Sequence, residues 1–238
     1  MNPVRFDPQG PFMRDPIPPH QMRDRLTRIQ DVFVQCHLGV PRIEPDQWSL
    51  TIDGMVERPR TLRFDDLMRY PKTELSTVHQ CCGSPLAPLE PKRRICNIRW
   101  SGVRLVEVLA DCRPGASAQY IWSCGADFGE FSGVVVDPYM KDLPIARVAD
   151  DVLIAYEMNG SALLAEHGFP VRLVVPGFYG TNSVKWLTRM TLAERRARWT
   201  PSQHGAVVLA SRAESFSGQI QPLSGRRNAI HEVAVNVV

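Results

Sequence analysis

Apolar and polar positions along the chain change period several times. In "WSLTIDG" they alternate, which predicts a strand ending at Gly54. "TLRFDDLMRY" breaks the alternation and reads as a short helix, with Asp65 and Asp66 in the first turn, where the helix dipole favours acids. "LSTVH" returns to period two and delivers the chain into Gln80-Cys81-Cys82-Gly83. "VRLVEVLADC" places apolar residues at 103, 105, 106, 108 and 109, the spacing of an amphipathic helix, stopped before Pro114. "QYIWSC" and "FSGVVVD" are strand-like, and "YMKDLPIARVAD" reads as a broken helical turn. "VLIAYEMNGSALL" predicts a hairpin, because Asn159-Gly160 suits a two-residue turn. "FPVRLVVPGFYGTNSVKWLTRMTL" reads as strand, glycine-rich loop, strand. The whole predicts an α+β protein of mixed sheets with short helices.

Three regions follow. Residues 1–30 form an extended, proline-rich lead, disordered or draped over the surface. Residues 31–200 form the main domain. Residues 201–238 hold two or three strands and no helix, too few to bury a core of their own. Twenty prolines and sixteen glycines agree with many turns.

A length of 238 residues, 44% hydrophobic and 22% charged, suits a globular chain with a real core. The net charge of +3 is too small for a general polyanion binder, so no nucleic-acid partner is expected. Of the 28 basic residues four are lysines; the arginines that dominate suit phosphate and carboxylate. No apolar run reaches the ~20 residues of a membrane span. The lead lacks an apolar export segment and a twin-arginine pair. That predicts a cytoplasmic protein, or a periplasmic one if the N-terminus is incomplete.

Six cysteines, at 36, 81, 82, 96, 112 and 124, form no C-x-x-C pair, no haem-attachment motif and no zinc spacing. Three readings of "VHQCCGSP" stay open from the residues alone: small residues at a strand end, a nucleophilic thiol, or a thiolate ligand to a soft metal. In "EHGFPVRLVVPGFYGTNSVKW", His167, Arg172 and Lys185 surround a glycine-rich loop that could cradle a phosphate-bearing ligand. That loop is neither a Walker loop nor a dinucleotide fingerprint.

Together "DVFVQCHLGVP", "WSLTIDG", "VHQCCGSP", "IRWSGVRLVEVL" and "AYEMNGSALLAEHGFPVRLVVPGFYGTNSVKWLTRMTL" resemble, in order and spacing, the molybdopterin-binding domain of the sulfite oxidase family over roughly residues 30–200. That family also includes plant-type nitrate reductase and bacterial molybdenum oxidoreductases. The resemblance implies the sulfite oxidase-type fold and a molybdenum cofactor, Mo-molybdopterin. It implies two-electron oxygen-atom transfer at a Cys-ligated molybdenum-oxo centre, to or from a small oxo-acceptor or oxo-donor. Cys81 falls at the position of the metal ligand. His37, Asp127, His167, Arg172, Ser183, Lys185 and Trp186 fall at cofactor-contacting positions, and Tyr179 could present its hydroxyl to the metal. The alternative within the same fold is a non-catalytic carrier subunit.

Two departures bear on substrate. The family motif F-V-R-N-H is "FVQCH" here, with Gln35 and Cys36 in place of arginine and asparagine. The A-G-N-R-R stretch that follows the metal cysteine is replaced by "CGSPL". The cationic clamp for a sulfite dianion is therefore missing, which predicts a neutral or weakly charged substrate. Arg93 and Arg94 lie close in sequence to the lost arginines. The tail resembles the start of the family's immunoglobulin-like dimerisation domain, so dimerisation stays open. No haem motif is present, which predicts a separate electron-transfer partner such as a cytochrome.

Overall fold

In the computed structural model, residues 4–84, 93–131, 134–196, 205–211 and 231–237 are described. Most of the loop "SPLAPLEPKRR" and much of the tail lie outside them. The chain divides into two units, 1–197 and 198–238.

The lead is extended, and part of it is strand. It carries β1 (Arg5–Gln9) and β2 (Phe12–Arg14), followed by β3 (Val34–Cys36) and β4 (Gly39–Arg42). β1 pairs with β4 and β2 with β3, both antiparallel. Next come β5 (Ser49–Gly54) and β6 (Arg60–Arg63), then α1 (Phe64–Leu67), as the alternation and the paired aspartates anticipate. The backbone N–H of Arg63 donates to Asp66 Oδ2 at 3.0 Å, which caps the first turn.

β7 (Lys72–Gln80) and β8 (Ile95–Arg104) form the longest ladder, and α2 (Leu105–Cys112) follows. α2 buries Leu105, Val108 and Leu109, each contributing roughly 1.5–3 kcal/mol. It ends at Arg113 in a left-handed conformation, before Pro114.

β9 (Tyr120–Cys124), β10 (Gly129–Phe131), β11 (Val134–Val136) and β12 (Met140–Pro144) come next. The stretch expected as a broken helical turn thus begins as strand. Pairing of Met140 through Pro144 with β9 overrides its weak local pattern, and a single 3-10 turn follows at Ile145–Arg147.

β13 (Leu153–Met158) and β14 (Ser161–Ala162) make the expected hairpin, with Asn159 at φ 52° and Gly160 at φ 83°, the left-handed pair that a tight hairpin turn demands. β15 (Arg172–Val174) and β16 (Arg189–Ala193) bracket the glycine-rich loop.

Two main sheets result. One runs β12-β9-β16-β5-β6, antiparallel except where β16 lies parallel to β5. The other runs β14-β13-β8-β7, with β15 also paired to β13. The larger core includes Leu50, Ile52, Ile121, Ile154, Leu173 and Met190. A second, around Ile98, Trp100, Leu153 and Met158, has Cys81 packed against it. Where β13 crosses β8, a Cβ on Gly102 would meet the Ile154 carbonyl oxygen at 2.2 Å, so only glycine lets the strands approach.

The second unit is described as one antiparallel hairpin, β17 (Gly205–Ser211) with β18 (His231–Val237). Among the described residues, no helix is long and apolar enough to cross a membrane.

Candidate molybdopterin site

The chemistry collects at element ends. His37 follows β3, Cys81 follows β7, Asp127 lies beyond β9, Arg172 opens β15, and Ser183, Lys185 and Trp186 sit between β15 and β16. Two backbone bonds pin that last stretch to β15: Leu173 N–H to Val184 O at 2.8 Å and Leu187 N–H to Val171 O at 2.9 Å.

Arg172 is 4% exposed. Its Nη1 donates to His167 O and its Nη2 to Ser183 O, both at 2.9 Å, while the guanidinium lies 4.8 Å from the Trp100 ring centroid. Burial lowers its pKa to about 10. Lys185 Nζ donates to Gln35 O at 3.1 Å, Glu166 O at 3.1 Å and Cys36 Sγ at 2.9 Å, and lies 4.4 Å from the Trp186 ring centroid. Burial lowers its pKa as well. Trp186 holds φ 50° while buried, an uncommon backbone for a bulky residue, and its Nε1 donates to Ala165 O at 2.8 Å. The Ser183 hydroxyl accepts from Val175 N–H at 3.1 Å.

Buried Arg172 and half-buried Lys185 both flank Gly168, and among the described residues no carboxylate lies within ion-pair distance of either. Asp127 is the acid whose charge Lys185 feels; burial raises the Asp127 pKa and Lys185 opposes the rise. His167 is buried and its Nε2 has no partner. Burial first, then Arg172 and Lys185, lower its pKa to about 3. The site thus presents two fixed positive charges and a neutral imidazole with an unused nitrogen. Burying such groups is costly without a compensating anion and hydrogen bonds.

His37 is solvent-exposed by area, yet desolvation and then the Lys185 charge lower its pKa.

Cys81 is half-buried. Its backbone N–H donates to Arg94 O at 2.9 Å, and its carbonyl accepts from Ser84 N–H at 3.1 Å. Burial raises its pKa, while a backbone hydrogen bond from Gly83 and the charge of Arg94 oppose that rise. A bound metal would deprotonate such a thiol outright. Among the described residues no group of three His, Cys, Asp or Glu could hold a metal.

Sequence reading missed two residues, His79 and Tyr139. His79, two before Cys81, is buried between Phe33 (5.9 Å, stacked) and Trp100 (5.8 Å, edge-on). Burial and the charges of Arg172, His167 and Lys185 keep it neutral. His79 and the Arg172 guanidinium both lie against the Trp100 ring, which joins the Cys81 end of β7 to the cationic pocket; its signal was a histidine at an inward position of a strand.

Tyr139, just before β12, donates to Thr181 O at 2.8 Å. Burial raises its pKa, and the charge of Asp127 adds to the rise. Tyr179, by contrast, is 51% exposed, and no described contact joins it to Cys81. The Arg94 side chain is 22% exposed, reaches Gly83 O at 3.4 Å and lies 3.9 Å from Asp15.

Residues 37–200 match the family described as oxidoreductase molybdopterin binding domain. The chain belongs to that family.

Its relatives include sulfite oxidase of Gallus gallus, 35% identical over 222 residues, covering 84% of this chain and 47% of that protein. Mitochondrial sulfite oxidase of Rattus norvegicus is 33% identical over 207 residues, covering 79% and 37% respectively. Nitrate reductase [NADH] of Ulva prolifera is 30% identical over 235 residues, covering 92% and 27%. The chain spans between about a quarter and a half of the length of these relatives. The sulfane dehydrogenase SoxCD from Paracoccus pantotrophus shares the fold, with a TM-score of 0.66 and 24% identity, covering 92% of this chain and 71% of that one.

The molybdenum cofactor of the family fits the residues present. Its phosphate would offset the charge of buried Arg172 and half-buried Lys185, and the unpartnered His167 Nε2 is a polar atom such a group could satisfy. All three Lys185 donors are already engaged, so Lys185 would contribute charge, whereas Arg172 keeps guanidinium protons free for a direct bond.

Proposed function

We propose that this domain is a molybdenum-cofactor oxidoreductase carrying out two-electron oxygen-atom transfer, with Cys81 as the protein's thiolate ligand to the metal and a substrate other than sulfite. The observation that carries the reading is a buried Arg172 and a half-buried Lys185 with no carboxylate partner among the described residues, Arg172 sharing the Trp100 ring with His79 at the Cys81 end of β7.

When bound, the cofactor supplies the two-electron couple and the oxygen exchange. The chain does the rest. Arg172, His167 and Ser183 would hold and orient the group, and Trp100 and Trp186 wall it from water. Cys81 would give the thiolate, a soft donor suited to a soft metal. Tyr139 keeps its proton at neutral pH, because burial and the charge of Asp127 raise its pKa. Its hydroxyl is therefore a hydrogen-bond donor, held on Thr181 O in this structure.

The substrate reading rests on charge. Gln35 is neutral, and Arg94 is turned toward Gly83 O and Asp15. A dianion such as sulfite then lacks the bidentate clamp it prefers, while a neutral or weakly charged S- or N-oxide, or its reduced form, meets no such deficit. The fold shared with a sulfane dehydrogenase makes reduced sulfur compounds the first class to screen. Electrons would pass to or from a separate redox protein.

The test compares kcat/KM for sulfite with that for neutral sulfur and nitrogen substrates in cofactor-loaded protein, with a redox dye. Sulfite should be the poorer substrate, and Gln35→Arg should raise its kcat/KM by roughly 10-fold or more, the value of one charge-assisted hydrogen bond. Sulfite turnover equal to the best alternative in the unaltered chain contradicts the substrate reading.

A further inference from the structure

Cys82 has no part in the chemistry above, yet of the six cysteines it alone is solvent-exposed. It directly follows half-buried Cys81, at the start of the turn that leaves β7. The two thiols lie close enough to act on one another. The turn is held from both sides: Cys81 N–H donates to Arg94 O, Ser84 N–H to Cys81 O, and Arg94 N–H to Ser84 Oγ at 2.8 Å. Cys36, Cys96 and Cys112 are buried away from solvent oxidants.

Adjacent Cα atoms are about 3.8 Å apart, short of the roughly 4.4–6.8 Å that an unstrained disulfide spans. A bond between neighbours is therefore strained and easily reduced. Strained, exposed disulfides are the labile ones. An exposed thiol beside a resolving thiol is also the arrangement that redox-sensing cysteines use.

We infer that Cys81 and Cys82 are a reversible vicinal disulfide pair in the cofactor-free protein, and that only the reduced pair accepts the metal. The oxidant is a small disulfide such as glutathione disulfide. The Cys82 thiolate attacks one of its sulfurs and releases one glutathione. The Cys81 thiolate then attacks the mixed disulfide and releases the second. Two protein S–H groups lose two protons and two electrons, and two glutathione thiols are formed. While the bond stands, the Cys81 sulfur is tied to carbon and sulfur and cannot ligate. The gate on metal capture rests on the role proposed for Cys81; the disulfide itself does not.

The experiment uses the full chain from a host that cannot make the cofactor, equilibrated across glutathione buffers of increasing disulfide fraction. The protein is quenched with acid and unfolded, and its free thiols are alkylated and the peptides weighed. The peptide holding residues 81 and 82 should lose two hydrogens at oxidising ratios and regain them on reduction, while Cys36, Cys96 and Cys112 stay alkylatable. Oxidised protein should take up no molybdenum from added cofactor, reduced protein should load, and Cys82→Ser should load at every ratio. Two alkylated thiols at all ratios overturn the pair. Equal loading of both states overturns the gate alone. A disulfide in a chain that, when reduced, binds neither molybdenum nor pterin overturns the gate and the function above together.

Discussion

Lys185 Nζ lies 2.9 Å from Cys36 Sγ, joining the loop before β16 to the end of β3 across 149 residues of sequence. The sulfur is one of three acceptors that hold a buried ammonium. Cys36→Val should leave one N–H of that ammonium without a partner and cost about 1–3 kcal/mol. Cys36→Ser, which restores an acceptor, should cost much less. Urea unfolding of cofactor-free protein measures both, and equal losses would remove the thiol from this role.

The histidine of the pocket sets a pH dependence. His167 is buried neutral with a pKa of about 3, against an ordinary 6.5. The unfolded chain therefore binds the extra proton first as pH falls. The stability of cofactor-free protein should be fully present above about pH 6.5 and decline toward pH 3, at up to roughly 1.4 kcal/mol per pH unit from this group. His167→Gln should flatten that decline. A thermal-unfolding series over pH reads it directly, and an unchanged slope in the variant would assign the decline to other groups.

Much of this was legible before any coordinates. The strict alternation of Ser49–Gly54 and the Asn159-Gly160 pair each specify local geometry, and both appear as read. His167, Arg172 and Lys185 could be read together because they flank one glycine-rich loop, whereas Ser183 and Trp186 entered only through the family resemblance. What stayed hidden was long-range. Strand formation at Met140–Pro144 depends on β9, and β16 runs parallel to β5 across more than a hundred residues. Tyr139 escaped notice for the same reason, since it reaches Thr181 only after β12 docks. Tyr179 drew attention by proximity in sequence to the glycine-rich loop, and its ring is exposed.

Tyr139→Phe removes the bond to Thr181 O. It should cost only about 0.5–1.5 kcal/mol in stability. If the hydroxyl donates to substrate, kcat/KM of the loaded enzyme should fall by roughly 10-fold or more, with the same cofactor content. A variant with normal kcat/KM and merely lower stability would reduce Tyr139 to a loop anchor.

Gly102 tests the packing beneath the site. An added methyl would sit 2.2 Å from Ile154 O and 2.6 Å from Ala155 Cα, both backbone atoms that cannot swing away. Gly102→Ala should destabilise by at least about 1–3 kcal/mol, the usual cost of overpacking, by prising β8 from β13. A variant with an unchanged unfolding midpoint would show that the strands tolerate separation.

The central claim is that the pocket holds a molybdenum cofactor ligated by Cys81. Its most direct test is molybdenum and pterin content per chain, measured in protein made by a cofactor-producing host, unaltered beside Cys81→Ser. The expected result is about one of each in the unaltered chain, with pterin retained and the metal lost or spectroscopically changed in the variant. Well-folded protein lacking both, or a variant whose metal spectrum is unchanged, would contradict it.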